Sequence, residues 1–203
     1  MTEAVTCPND NMELFEMRLA YFSREFAATG MDIIPKNMLR YCARYSIHAE
    51  KKGMLFHSGT GTGKTARMNF IAEKFGIKMI FSSTFFDAYK SSGAEFAAEL
   101  ALVTLKNRLD CYSSFAEDLI IDDLGSEPPS ANCFGTVCYP LAEIIEQRYI
   151  MFSRHGALTH ITSNKTLAQI KEVYGDRVFS RIHEMCYHVN MAGKDRRLEN
   201  KPI

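Results

Sequence analysis

The chain lacks net charge: across 203 residues, 24 lysines and arginines offset 24 aspartates and glutamates. No global positive field draws in nucleic acid, so any DNA contact must come from a local patch. No window approaches the roughly 18 apolar residues of a membrane-crossing helix. The opening Met1-Thr2-Glu3-Ala4-Val5-Thr6-Cys7 has neither the basic start nor the apolar stretch of a secretory signal, and a cytoplasmic location with no membrane attachment is the expectation. There is no Cys-x-x-Cys pair. Cysteines 7, 42, 111, 133, 138 and 186 are scattered without partners at metal spacing, which predicts free, reduced thiols and no zinc site. Internal repeats and low-complexity segments are also missing. What remains is 46% hydrophobic content, enough for one core in a single α/β domain with a short N-terminal addition.

Against that background one segment carries most of the information. Ser58-Gly59-Thr60-Gly61-Thr62-Gly63-Lys64-Thr65 follows the apolar run Met54-Leu55-Phe56 and precedes the helix-like Ala66-Arg67-Met68-Asn69-Phe70-Ile71-Ala72. Strand, glycine-rich loop and helix in that order form the Walker A phosphate-binding loop. Glycines at 59, 61 and 63 let the backbone curl so that successive N–H groups face phosphate oxygens. The helix N-terminus adds partial positive charge. Lys64 is placed to meet the β and γ phosphates of ATP, and the Thr65 hydroxyl to ligate Mg²⁺. Ser58 stands where the motif has its first glycine, a position read as needing a small residue more than glycine.

A second motif has the matching chemistry. Asp118-Leu119-Ile120-Ile121-Asp122-Asp123-Leu124-Gly125 reads as a strand buried on both faces and ending in two carboxylates. Ligands of open α/β sheets sit beyond the carboxyl ends of the strands, which brings both aspartates to the phosphate loop. Asp122 is the candidate for holding Mg²⁺, through water, and Asp123 for orienting and polarising the attacking water.

The rest of the chain alternates. Met12, Phe15, Leu19, Phe22 and Phe26 form one stripe on a helix from about 11 to 28, and Pro35 opens a second helix to about 49. The stripe suits either a partner groove or the chain's own core. Lys36, Arg40 and Arg44 recur every four residues on the second helix, followed by Lys51 and Lys52. This is either a footprint for a DNA backbone, with Tyr41 and Tyr45 stacking on bases, or a solvated face with those rings beneath it. Further strands are expected at about 78–82, 158–164 and 187–191, with helices at about 93–109, 133–151, 167–173 and 176–185. Pro140 either kinks the helix at 133–151 or marks its true start. Strands alternating with helices imply a parallel, doubly wound sheet over 51–203, preceded by a helical segment over 1–50.

Two polar elements follow the carboxylates. Asn164 either bonds the γ-phosphate or attacking water, or caps the helix that starts near Thr166. Arg177 and Arg181 share one helix face, fitting an arginine finger or ordinary ion pairs with Asp176 or Glu184.

Taken in order, four motifs resemble the DnaC/IstB-type AAA+ ATPases, the bacterial and phage helicase loaders and their transposition relatives. They are the loop at 58–65; Leu119-Ile120-Ile121-Asp122-Asp123-Leu124-Gly125; Ile145-Glu146-Gln147-Arg148-Tyr149 with Ile161-Thr162-Ser163-Asn164; and Gly175-Asp176-Arg177-Val178-Phe179-Ser180-Arg181-Ile182. The resemblance covers about 53–197 and implies a P-loop NTPase fold of AAA+ type. By it, Asn164 matches the sensor-1 position, Arg181 the finger given to a neighbouring subunit, and Arg196, in Gly193-Lys194-Asp195-Arg196, a loosely matched sensor 2. Asp123 stands where many AAA+ proteins carry glutamate, one methylene longer, so hydrolysis is expected to be slow and dependent on oligomer or DNA. The implied role is a DnaC-like ATPase of DNA replication. It would bind ATP and Mg²⁺, form a homo-oligomer when ATP-bound, and act on a DnaB-like replicative helicase and single-stranded DNA. An IstB-like regulator of transposition and a nucleotide-dependent binding switch with negligible turnover are the alternatives.

Overall fold

The computed structural model describes residues 8–30, 35–95, 117–191 and 193. The chain divides into two compact units, Met1–Lys51 and Lys52–Ile203.

In the first unit helix α1 (Pro8–Ala28) packs on α2 (Lys36–Tyr45). The apolar stripe of α1 is used unevenly. Phe22 and Phe26 are buried, whereas Met12 is 62% exposed. Met38, Tyr41 and Cys42 form the buried face of α2, at the three- and four-residue spacing of an amphipathic helix. Lys36, Arg40 and Arg44 therefore lie on its exposed face. Tyr41 is buried and cannot stack on a base; Tyr45 is half-buried, its ring 6.0 Å from that of Tyr41. Arg44 Nε lies 3.8 Å from the carboxylate of Glu50.

The second unit runs β1 (Gly53–His57), α3 (Lys64–Phe75), β2 (Lys78–Phe81), α4 (Ser82–Ser92), β3 (Leu119–Asp122), β4 (Ala131–Cys133), β5 (Thr136–Cys138), α5 (Pro140–His155), β6 (Thr159–Ser163), α6 (Leu167–Met185) and β7 (Cys186–Asn190). Five strands form one parallel sheet in the order β2-β3-β6-β1-β7. Leu55, Leu119, Ile121 and Ile161 join Leu141, Ile144, Ile145, Ile170 and Ile182 in one cluster, so α5 and α6 cover that face. α3 packs on β2, β3 and β6 and contributes no described side chain to that cluster, which places it on the other face. The fold is thus the expected α/β sandwich around a parallel sheet.

Several local expectations change. Residues 82–92 form a helix, α4, where only the end of a strand was expected. Its signal is Phe85, Phe86 and Tyr89, buried at helical spacing. Of the helix expected at about 93–109, residues 96–109 lie outside the described residues. Residues 131–138 form an antiparallel hairpin, not a helix, because Phe134 and Gly135 both take positive φ (53° and 85°), the geometry of a tight two-residue turn. Pro140 is accordingly the start of α5 rather than a kink. Across the hairpin Cys133 and Cys138 form a disulfide, against the expectation of free thiols; Cys42 and Cys186 are free and buried. The two expected C-terminal helices are both present within α6, separated by a kink at Gly175, whose φ 80° and ψ 168° are not helical.

Arg148 on α5 is a buried charge with a structural task. Its Nε donates to Thr159 Oγ1 at 2.9 Å, and its terminal nitrogen to the carbonyls of Glu117 (3.0 Å) and Leu158 (2.9 Å). Burial pulls the guanidinium down to about 10, partly offset by Asp118. His160, fully buried on β6, is pushed down to about 3 by burial and then by Arg148. No helix among the described residues is long and apolar enough to cross a membrane.

Candidate functional site

The loop between β1 and α3 borders a cavity of about 620 Å³, lined by residues 60–66 with Asn69, Asp123, Thr162 and Asn164. Thr60, Gly61, Thr62, Gly63, Lys64 and Thr65 therefore line it, whereas Ser58 and Gly59 do not. Lys64 Nζ donates to their carbonyls at 3.1 and 2.6 Å, which fixes the ammonium at the mouth of the loop. Ser58 has φ 152°, backbone that glycine favours, so the motif position does ask for glycine and serine adopts it under strain. Its hydroxyl donates to the Met191 carbonyl at 2.7 Å, just past β7.

Arg67 was not singled out from sequence, yet it is 2% exposed and holds the loop's shape. One terminal nitrogen donates to the carbonyls of Thr62 and Gly63, each at 3.0 Å. Gly63 takes φ 80°, and a Cβ there would come within 2.6 Å of that nitrogen. The available signal was its position, one turn into the helix after Lys64, where a side chain points back toward the loop.

The carboxylates arrive from β3. Because β6 lies between β1 and β3, the strand that ends just before Asn164 separates the loop strand from the carboxylate strand. Asp122 is 1% exposed; the Thr65 hydroxyl stands 3.2 and 3.1 Å from its two oxygens, and the Thr162 hydroxyl donates to Oδ1 at 2.6 Å. Burial pushes the Asp122 carboxyl up, while the Thr162 and Thr65 hydrogen bonds pull it back. Asp123 takes φ 60°, a left-handed conformation that aspartate tolerates. Its Oδ1 accepts from Asn164 Nδ2 at 2.5 Å. The capping alternative for Asn164 is settled by Thr166, which makes a reciprocal capping box with Gln169 at the start of α6. Thr65 lines the cavity, and Asp122 stands behind it in contact with the Thr65 hydroxyl; both offer only oxygen donors, which fits Mg²⁺. That ion takes one or two protein ligands plus phosphate oxygens and needs no larger cluster, and none occurs among the described residues.

The arginines lie elsewhere. Arg177 Nε is 3.2 Å from Glu146 Oε1, and Arg181 is ion-paired with the same carboxylate while its guanidinium sits 5.1 Å over the Tyr149 ring. The partner is thus Glu146 on α5, not Asp176, which pairs with Lys171, nor Glu184, which accepts from Tyr149. Neither arginine lines the cavity. Arg196, with Lys194 and Arg197, lies outside the described residues.

No protein-family model matches the sequence, and no curated protein matches it. Among solved structures, that of DnaI aligns with a TM-score of 0.58 over 80% of this chain and 88% of its own, at 21% identity. The DnaC helicase loader aligns at 0.49 over 78% and 91%, with 24% identity. DnaA from Aquifex aeolicus, solved with AMPPCP, aligns at 0.47 over 81% of this chain and 50% of its own, with 17% identity. The likeness to DnaI is one of fold. With the parallel sheet, the loop and the paired carboxylates in place, the chain has an α/β fold with a parallel central sheet, shared with DnaI.

Proposed function

We propose that the chain is a DnaC-like ATPase of DNA replication that loads or remodels a replicative helicase on single-stranded DNA, as a homo-oligomer when ATP is bound. The observation that carries the reading is convergence on one cavity: Thr65 against Asp122, and Asn164 against Asp123, beside Lys64. The ordered motifs and the fold shared with DnaI support the replication role.

In this reading Lys64 meets the β and γ phosphates, and the loop's N–H groups bind the phosphate oxygens. Thr65 and Asp122 would hold Mg²⁺, which would supply positive charge against those phosphates. Asp123 accepts a hydrogen bond from the attacking water and takes up its proton, and Asn164 orients the Asp123 carboxylate. Arg181 completes the site of a neighbouring subunit. Lys36, Arg40 and Arg44 contact the DNA backbone.

The test measures phosphate release by purified protein alone, with single-stranded DNA, and with the replicative helicase of the same cell. Turnover that rises with either addition and vanishes in Lys64→Ala supports the proposal. Nucleotide binding with no turnover under any of these conditions replaces it with the binding switch, and stimulation by duplex DNA and transposase alone replaces it with the IstB-like role.

A further inference from the structure

We infer that Thr162 is a positioning residue that sets both carboxylates of the site through a single hydroxyl. The inference deepens the ATPase reading and rests on it.

Thr162 is 1% exposed, on β6, and lines the cavity. β3 and β6 pair in parallel with Ile121 opposite Ile161, so the next step along each strand brings Asp122 level with Thr162. A threonine hydroxyl has one proton and two lone pairs. Here the proton goes to Asp122 Oδ1 at 2.6 Å, and a lone pair accepts the Asp123 N–H at 2.8 Å. The polarity is forced, because an ionised carboxylate only accepts and an amide N–H only donates. The Thr162 carbonyl then accepts the Leu124 N–H at 2.8 Å. One residue thereby holds three consecutive residues at the end of β3, and Asp123 is held at the point where its φ turns to 60°. That turn brings its carboxylate to Asn164. Thr65 holds Asp122 from the α3 side, so Thr162 supplies the opposing contact.

A valine would keep the shape of Thr162 and remove the hydroxyl. Asp122 would lose the donor that fixes its rotamer, and the Asp123 N–H would lose its acceptor. Groups that orient a metal ligand typically change metal affinity by about 10–100-fold when removed. Serine retains the hydroxyl and serves as the rescue.

The experiment compares the parent, Thr162→Val, Thr162→Ser and Asp122→Asn. Binding of a fluorescent ATP analogue is titrated at rising Mg²⁺ and in EDTA, and amide hydrogen exchange over 119–125 is measured without metal. The expected result for Thr162→Val is unchanged binding in EDTA, a half-saturating Mg²⁺ concentration raised by about tenfold or more, and faster exchange at Asp123. Thr162→Ser should follow the parent in each readout. A parent that responds to Mg²⁺ and a valine variant that responds identically overturn the inference and leave the ATPase reading intact. A serine variant as impaired as valine, or a valine variant that fails to fold alongside a folded but impaired serine variant, also overturns it, because the hydroxyl is then not what matters. A parent whose nucleotide binding ignores Mg²⁺ and Asp122→Asn alike removes the metal role of Asp122, and the inference with it.

Discussion

Glu146 and Arg181 are ion-paired within one chain, and Glu146 also takes Arg177. The cation proposed for a neighbour's phosphate is thus held by a carboxylate on α5. Delivery in trans then requires the pair to open or the neighbour to approach α5 closely. Arg181→Ala and Lys64→Ala should each be nearly inactive alone, since a finger contributes about 10³–10⁵ in rate. Mixed, they should regain activity at shared interfaces. Glu146→Gln should keep Arg181 available, and so retain turnover while loosening α5 on α6. No recovery across mixing ratios, with assembly confirmed by light scattering, assigns Arg181 a purely structural role.

Lys64→Ala removes the ammonium that Ser58 and Gly59 hold at the cavity. A charge-assisted contact is worth about 1.5–3 kcal/mol, or roughly tenfold or more in affinity. Titration with fluorescent nucleotide should show that loss, and equal affinities would exclude the loop as the nucleotide site.

Asp123→Asn should leave nucleotide affinity near that of the parent and abolish phosphate release, because an amide cannot take the proton of water. Asn164→Ala, which frees the Asp123 carboxylate, should lower the rate without changing affinity. Parental turnover in the Asp123 variant would move the catalytic base elsewhere.

With Tyr41 buried and Tyr45 half-buried, the DNA contact proposed for α2 rests chiefly on its cations. Neutralising Lys36, Arg40 and Arg44 together should shrink the slope of log affinity against log salt by about two to three, at roughly 0.7–0.9 per phosphate contact. Sequence preference should be unaffected. An unchanged slope would place the DNA contact on other residues.

His160 predicts a pH dependence of stability. Its folded value of about 3 lies below the ordinary 6.5, so below pH 6.5 the unfolded chain takes up a proton that the folded chain refuses. The stabilisation is complete above pH 6.5 and is lost progressively as pH falls toward 3, with a slope of at most about 1.4 kcal/mol per pH unit. Denaturant unfolding between pH 7 and 4 should show this component in the parent and not in His160→Leu. His57 and His188 are shifted the same way by burial and add to the parent's slope in both proteins.

The layout of the candidate site was legible because a phosphate-binding motif requires particular residue types at fixed spacing. Gly61, Gly63, Lys64 and Thr65 declare the loop, and Leu119-Ile120-Ile121 followed by Asp122 and Asp123 declares a buried strand ending in carboxylates. Contacts that depend on which strands are neighbours were not legible. Thr162 looks like any β-branched strand residue until β6 is seen beside β3, and Glu146 becomes the partner of Arg181 only once α5 packs on α6. Short local geometry also escaped. Phe134 at positive φ is uncommon, so a hairpin was read as the first turns of a helix, and Ser82-Ser83-Thr84 masked the start of α4.

Arg148 gives the sheet a fixed edge and a working edge. Its bonds to Glu117, Thr159 and Leu158 gather the entry ends of β3 and β6, remote from the cavity. Neither strand can slip past the other without stranding a buried guanidinium, so the pairing that brings Thr162 to Asp122 is gauged from the opposite rim. Under the proposed function, a substitution at Arg148 would therefore resemble a catalytic lesion in an activity screen while every residue lining the cavity remained unaltered.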